Sequence, residues 1–475
     1  MIIGRNNEIC TLKSALNADH SDFIAVFGRR RVGKTFLIRE AFEHRFVFYH
    51  TGVAGACRQE QLSRFAASMR KSGLKLGGVP KTWFEAFDAL EAALSESGAG
   101  KKVVFIDELP WMDTPKSNFV SALESFWNGW ASARNDILLV VCGSATSWMT
   151  DKIINNRGGL HNRLTHRIRL EPFTLRECEM YLESLGVVAT RMQILEYYMA
   201  MGGVPYYWSF IDKAKSPAQN LDALFFSANG ELRDEYDHLY ASLFRKPHLH
   251  LAVVAALGTK KAGMTREELL AATGATDNGV FGTVLEELVD CGFLRRFRMP
   301  GKKVRQLVYQ LIDNYTLFYY RFLVDLDGDE SGSWEREQNN PQVNVWRGLS
   351  FERVCLQHLD QIKRALGISG IRTKAYAWRS PEAQIDLLIE RADDAVNVCE
   401  MKYSSEVYTL NRDEHEKLIR RREAFRRAAN PRGAVYLTMI SPKGLSGNAY
   451  GNDVQSVITL DDLFDERQSR NGGAR

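Results

Sequence analysis

The chain has 475 residues, is 45% hydrophobic and 25% charged, and carries a net charge of +4. That composition suits a globular protein of about three domains. No apolar run approaches the ~20 residues of a membrane helix, and the N-terminus lacks a signal-peptide layout. A cytoplasmic protein without a membrane partner is therefore expected. The near balance of charge does not argue for nucleic acid, and seven scattered cysteines with no CxxC pair favour buried reduced thiols over disulfides or a zinc site.

From the N-terminus, short apolar runs alternate with helical patterns: DFIAVFG (22–28), FVFYH (46–50), KKVVFID (101–107), ILLVVCGS (137–144) and RIRLEPF (167–173). Near-continuous apolar strands separated by helices predict a parallel sheet covered on both faces. The first of these strands runs into GRRRVGKT, that is Gly28, Arg29, Arg30, Arg31, Val32, Gly33, Lys34 and Thr35, with Phe36 next in the helix that follows. Strand, glycine-bounded loop and helix in this order make a phosphate-binding loop. Its backbone N–H groups and the helix N-terminus face the phosphates of ATP. Lys34 is expected to neutralise the β- and γ-phosphates, and Thr35 to ligate Mg2+.

The run at 101–107 ends in Asp107-Glu108, at the strand tip where ligands of parallel sheets bind. Asp107 is the second expected Mg2+ residue, and Glu108 the base that polarises the attacking water. On the next strand tip, Ser144 suits either a γ-phosphate sensor or a helix cap. Arg163, in a basic loop before the fifth strand, suits either an arginine finger reaching a neighbouring subunit's ATP in a homo-oligomer or an ordinary surface residue. Arg157, Arg167 and Arg169 compete for that role.

A helical stretch follows at 176–235, containing GGVPYYW (202–208). HLAVVAALG, TREELLAATG with a Thr265/Glu268 capping box, a third helix near 278–291 and two strand-like runs joined at Pro300-Gly301 then describe a winged helix-turn-helix. Arg295, Arg296, Arg298, Lys302, Lys303 and Arg305 make its hairpin basic, as backbone contact with DNA requires. Its third helix carries Glu286, Glu287 and Asp290 and no Arg or Lys, which suits docking on a protein partner. Polar residues at 326–342 read as a linker.

In the last 130 residues, RGLSFERVCLQHL (347–359) begins an amphipathic helix bearing Glu352. QIDLLIE (384–390) and VNVCEMKY (396–403) are strands joined by the turn RADDA. A hairpin centred on Asp393 sets Asp386 opposite Glu400, with Lys402 on the same face. Two carboxylates and a lysine suit a second Mg2+ or Mn2+ at Asp386 and Glu400 and phosphodiester cleavage, with Lys402 orienting the nucleophile. The following helix is rich in basic residues, from Lys417 to Arg432, and suits either a phosphate track or a solvated face.

GRRRVGKT, FIDE, HNRLTHRIRLEPF, GGVPYYW and LIDNYTLFYYRFL together resemble the AAA+-related ATPases found mainly in archaea and also in bacteria, near the STAND-like ATPases. The resemblance implies an ASCE-type P-loop core over 1–175, a helical lid over 176–240, a winged helix over 241–325, a linker over 326–346 and a C-terminal α/β domain over 347–475. It also implies that Gly4-Arg5 run beside the adenine and that Pro205 packs on the base. The E…D…ExK pattern resembles the PD-(D/E)xK restriction-endonuclease-like fold, which makes Glu352 its helix glutamate. Gln384, where a proline or small residue often stands, departs from that pattern. Three functional readings follow: an ATP-driven machine on DNA with a nuclease-like module, a nucleotide-controlled regulatory switch, and an ATPase whose nuclease-like fold only clamps DNA.

Overall fold

The computed structural model describes residues 2–155, 158–160, 162–244, 246–260, 262–298, 307–326, 328–338 and 340–465. The chain forms two compact units. One comprises Met1–Glu171, Ser242–Arg245 and Glu286–Cys291; the other comprises Pro172–Ala241, Lys246–Leu285 and Gly292–Arg475.

In the first unit the five expected strands are β1 (Asp22–Phe27), β2 (Phe48–Thr51), β3 (Lys102–Asp107), β4 (Ile137–Gly143) and β5 (His166–Arg169). All pair in parallel, in the order β2-β3-β4-β1-β5. Because strand side chains alternate between faces, each strand feeds two cores. Phe23, Ala25, Val104, Ile106, Leu139 and Val141 pack towards the helices α3 (Arg58–Lys71), α4 (Trp83–Glu96) and α5 (Phe119–Gly129). Their neighbours Ile24, Val26, Val103, Phe105, Leu138 and Val140 pack towards α1 (Asn6–Leu16) and α2 (Lys34–Ala41). The double covering explains why these strands read as unbroken apolar runs. The order also inserts β4 between β1 and β3, so the tips of all three meet at one sheet edge.

The second unit opens with helices Leu175–Ser184 and Arg191–Met201. Helix His248–Gly258 precedes β6 (Met264–Thr265) and helix Arg266–Thr273 follows it; β6 joins β7 (Leu294–Arg298) and β8 (Leu307–Leu311) in a small antiparallel sheet ordered β6-β8-β7. Thr265 accepts from the Glu268 N–H, and Glu268 accepts from the Thr265 N–H, the expected reciprocal cap. Lys302, Lys303, Arg305 and the Pro300-Gly301 turn lie outside the described residues.

The stretch expected as a linker is instead packed. A short helix, Ser333–Glu337, carries a buried Trp334 stacked 5.6 Å from Phe226. The Asp222 carboxylate accepts from the backbone N–H groups of Gly332 and Trp334 at 2.6 and 2.9 Å. One tryptophan supplies enough apolar area to hold an otherwise polar segment.

The C-terminal residues form a mixed sheet, β13-β12-β11-β10-β9, from β9 (Thr373–Arg379), β10 (Gln384–Arg391), β11 (Val396–Met401), β12 (Val435–Ile440) and β13 (Ser456–Ile458). β9, β10 and β11 are antiparallel neighbours, while β11, β12 and β13 run parallel. The basic helix Arg412–Ala429 covers one face through Leu418 and Phe425.

Candidate functional site

At the end of β1, Gly28 has φ +142°, and a Cβ there would lie 2.3 Å from the Leu170 carbonyl oxygen. Only glycine fits that passage between β1 and the chain leaving β5. Arg29 is buried, Arg31 takes a left-handed φ of 69°, and Val32 sits in the core. Gly33, at φ +90°, caps the N-terminus of α2. Arg30 is half-buried and the Phe36 ring is half exposed.

Lys34 is buried, and its Nζ donates to the carbonyls of Gly28 and Arg29 at 2.9 and 2.8 Å. Burial pulls its pKa down, while the nearby acids Glu108 and Asp107 resist that pull. A group so placed gains from any phosphate that enters the loop.

The Thr35 hydroxyl donates to Asp107 Oδ2 at 2.9 Å, while Asp107 Oδ1 accepts from the Glu108 N–H at 3.0 Å. The two side chains expected to share one cation are therefore adjacent, Thr35 in the first turn of α2 and Asp107 at the end of β3. Glu108 has a left-handed backbone (φ 48°, ψ 48°), which turns the chain sharply after β3. Its Oε1 accepts from the Ser144 hydroxyl at 2.7 Å. Ser144 thus holds the expected base, an arrangement that follows from β4 lying between β1 and β3.

Gly4 and Arg5 both adopt left-handed backbone, and Arg5 Nη2 donates to the Glu171 carbonyl at 2.6 Å. Arg163 is exposed in the turn before β5. Arg169 donates to the Asp290 carbonyl at 3.1 Å and pairs with Glu171; Arg157 lies outside the described residues. Pro205, in the second unit, opens the short helix Pro205–Trp208. A residue that the motifs did not single out is Gln61. Fully buried, its amide bonds both the Val53 N–H and C=O and the Trp111 carbonyl, fixing the loop after β2 to the turn after Glu108. No local pattern marks such a glutamine.

In the C-terminal sheet, β10 and β11 pair as expected, Leu387 with Cys399 and Leu388 with Val398. The pairing runs as far as Leu387 and Cys399, the residues next to Asp386 and Glu400 in sequence. Glu400 pairs with Lys402 at 3.2 Å and is also bonded by Arg421. Glu352 and Asp386 both line a small cavity together with Arg295 and Arg353. Among the described residues no three His, Cys, Asp or Glu side chains gather to hold a metal ion. Several basic residues of the Arg412–Ala429 helix are already paired: Arg412 with Glu416, Arg422 and Arg426 with Glu423, and Arg427 with Glu382. Lys417 and Arg420 are exposed. No described helix is long and apolar enough to cross a membrane.

Residues 2–209 match ATPase_2, an ATPase domain predominantly from Archaea. The Methanocaldococcus jannaschii protein MJECL04 is 24% identical over 401 residues, 83% of this chain and 85% of that protein. Among solved structures, the Walker-type ATPase paby2304 of Pyrococcus abyssi is 17% identical, with 68% of this chain and 96% of that one covered and a TM-score of 0.48. The Aeropyrum pernix ORC2 protein is 16% identical, with 66% and 92% covered and a TM-score of 0.39.

Proposed function

We propose that the chain binds ATP with Mg2+ in the loop Gly28–Thr35 and hydrolyses it. The observation that carries this reading is the Thr35–Asp107 bond of 2.9 Å beside a buried Lys34 at the mouth of a parallel sheet. Thr35 and Asp107 form a hard-oxygen donor set that fits Mg2+, which when bound would neutralise charge on the β- and γ-phosphates. Lys34 exchanges its two carbonyl partners for phosphate oxygens. Glu108, held by Ser144, takes up the proton of the attacking water. Gly4, Arg5 and Pro205 are assigned to the base, and Arg163 to a neighbouring subunit's ATP in a homo-oligomer. Calorimetry with ATP and Mg2+ tests the reading: Lys34→Ala should weaken binding by roughly a hundredfold, in line with losing a buried charged contact. Unchanged affinity would remove the loop from the account.

For the rest of the chain we propose a winged helix at about 241–325 and a C-terminal nuclease-like module, with exposed Arg296, Lys417 and Arg420 meeting DNA phosphates. A second reading, the nucleotide-controlled switch that docks on protein, draws support from the paired side chains of the Arg412–Ala429 helix and from the acidic helix Gly279–Asp290. DNA-stimulated ATP turnover favours the first; turnover indifferent to DNA favours the second.

A further inference from the structure

Glu108 stands in a backbone conformation that a glutamate rarely adopts, φ 48° and ψ 48°. A residue so placed persists only where its surroundings hold it there. That backbone sets the direction of the Cα–Cβ bond, and hence where the carboxylate can reach. The chain then makes one 3-10 turn, Leu109–Trp111, in which the Trp111 N–H donates to the Glu108 carbonyl at 3.1 Å.

Both ends of this turn are tied to one segment, Gly52-Val53, where the chain leaves β2. At the near end, the Gly52 N–H donates to the Asp107 carbonyl at 2.9 Å. Gly52 passes so close to Glu108 that a Cβ on it would stand 2.5 Å from the Glu108 carbonyl oxygen. At the far end the tie is Gln61, fully buried in the first turn of α3. Its Oε1 accepts from the Val53 N–H at 3.1 Å, and its Nε2 donates to the Val53 carbonyl at 2.6 Å and to the Trp111 carbonyl at 3.0 Å. The amide makes to Val53 the pair of bonds that a neighbouring strand would make, and gives its second proton to the turn. A neutral amide supplies two donors and an acceptor without burying a charge. Asp107, Glu108, Trp111, Gln61, Val53 and Gly52 therefore close a ring of contacts that contains the left-handed residue. None of the amide's three bonds reaches the loop Gly28–Thr35.

We propose that Gln61 is a positioning residue for ATP hydrolysis: by gripping Val53 and Trp111 at once it keeps Glu108 in the backbone conformation that aims its carboxylate at the attacking water. The proposal rests on the ATPase reading of the phosphate loop and assigns Gln61 to turnover, not to nucleotide binding.

The test measures Mg-ATP affinity by calorimetry and turnover at saturating ATP in the full-length protein. Gln61→Met keeps the length of the side chain and removes all three amide bonds. A displacement of ~1 Å at a reacting group costs up to ~100-fold in rate, so kcat should fall by between about tenfold and a hundredfold while ATP affinity stays within about threefold. In a Glu108→Gln background the same substitution should cost nothing further, because it acts through Glu108. If Gln61→Met does not fold, Gln61→Glu, which keeps the acceptor for Val53 and loses both donors, must show the same split between kcat and affinity. Wild-type kcat in these variants overturns the proposal. So does a loss of affinity as large as the loss of kcat, or a fall that persists undiminished in the Glu108→Gln background. Wild-type protein that neither binds nor turns over ATP removes the ATPase reading itself, and Gln61 with it; active wild type with an equally active Gln61→Met removes the positioning role alone.

Discussion

His358 is a buried imidazole whose tautomer the structure dictates. Its Nε2 accepts from the Leu175 N–H at 3.0 Å, and its Nδ1 lies 2.8 Å from the Val354 carbonyl, to which it must donate. The ring thus satisfies one of the unpaired N–H groups that open the helix Leu175–Ser184. Burial holds its pKa at about 4, below the ordinary 6.5, and buried His50 is shifted alike. The unfolded chain takes up protons between pH 6.5 and 4 that the folded chain refuses. The associated stability is complete above pH 6.5 and is lost as pH falls towards 4, by up to about 3 kcal/mol for each histidine. The thermal midpoint followed across that range should fall, and His358→Gln should show a shallower fall. An identical slope in the variant would show that His358 is not a source of the acid sensitivity.

At the scale of the element, Asp222 shows how one carboxylate secures a segment. It joins the π-helical turn Asp222–Phe226 to the start of helix Ser333–Glu337 through two backbone N–H groups. Asp222→Ala would leave both donors unpaired in a largely buried place and should cost about 2–4 kcal/mol in urea unfolding. A loss below about 0.5 kcal/mol would mean that Trp334 packing alone holds the segment. This element was illegible in sequence because DLDGDESGSWEREQNN is polar and rich in turn formers, and one tryptophan does not make a period. By contrast β1, β3 and β4 were legible as apolar runs, and the β10–β11 register followed from the RADDA turn and the period of two. The phosphate loop and Asp107-Glu108 were legible for the same reason: each is a local pattern. Contacts set by topology were not. Ser144 against Glu108 depends on β4 entering between β1 and β3; His358 against Leu175 and Arg295 in the Asp386 cavity join residues far apart in sequence. A basic residue also reads as surface whether it points to solvent, as Arg296 does, or inward, as Arg295 does.

For the whole molecule, the two readings differ in whether DNA is a partner at all. If DNA is the partner, binding should weaken linearly in log–log salt plots, with a slope near the number of phosphates neutralised. Arg296→Ala and Lys417→Ala should each lower that slope by roughly one. A salt slope near zero in fluorescence anisotropy with labelled duplex and single-stranded DNA would leave the protein-docking switch as the better account.

The most direct measurement on the central claim pairs binding with turnover in Glu108→Gln. The amide keeps the size of the side chain and the contact with Ser144 but cannot take a proton from water. ATP affinity with Mg2+ should stay within about threefold of wild type, while turnover should fall by roughly a hundredfold or more, as expected on losing a general base. Unchanged turnover, or the absence of any ATP-binding heat in the wild-type protein, would contradict the assignment of this loop and strand tip as an ATPase site.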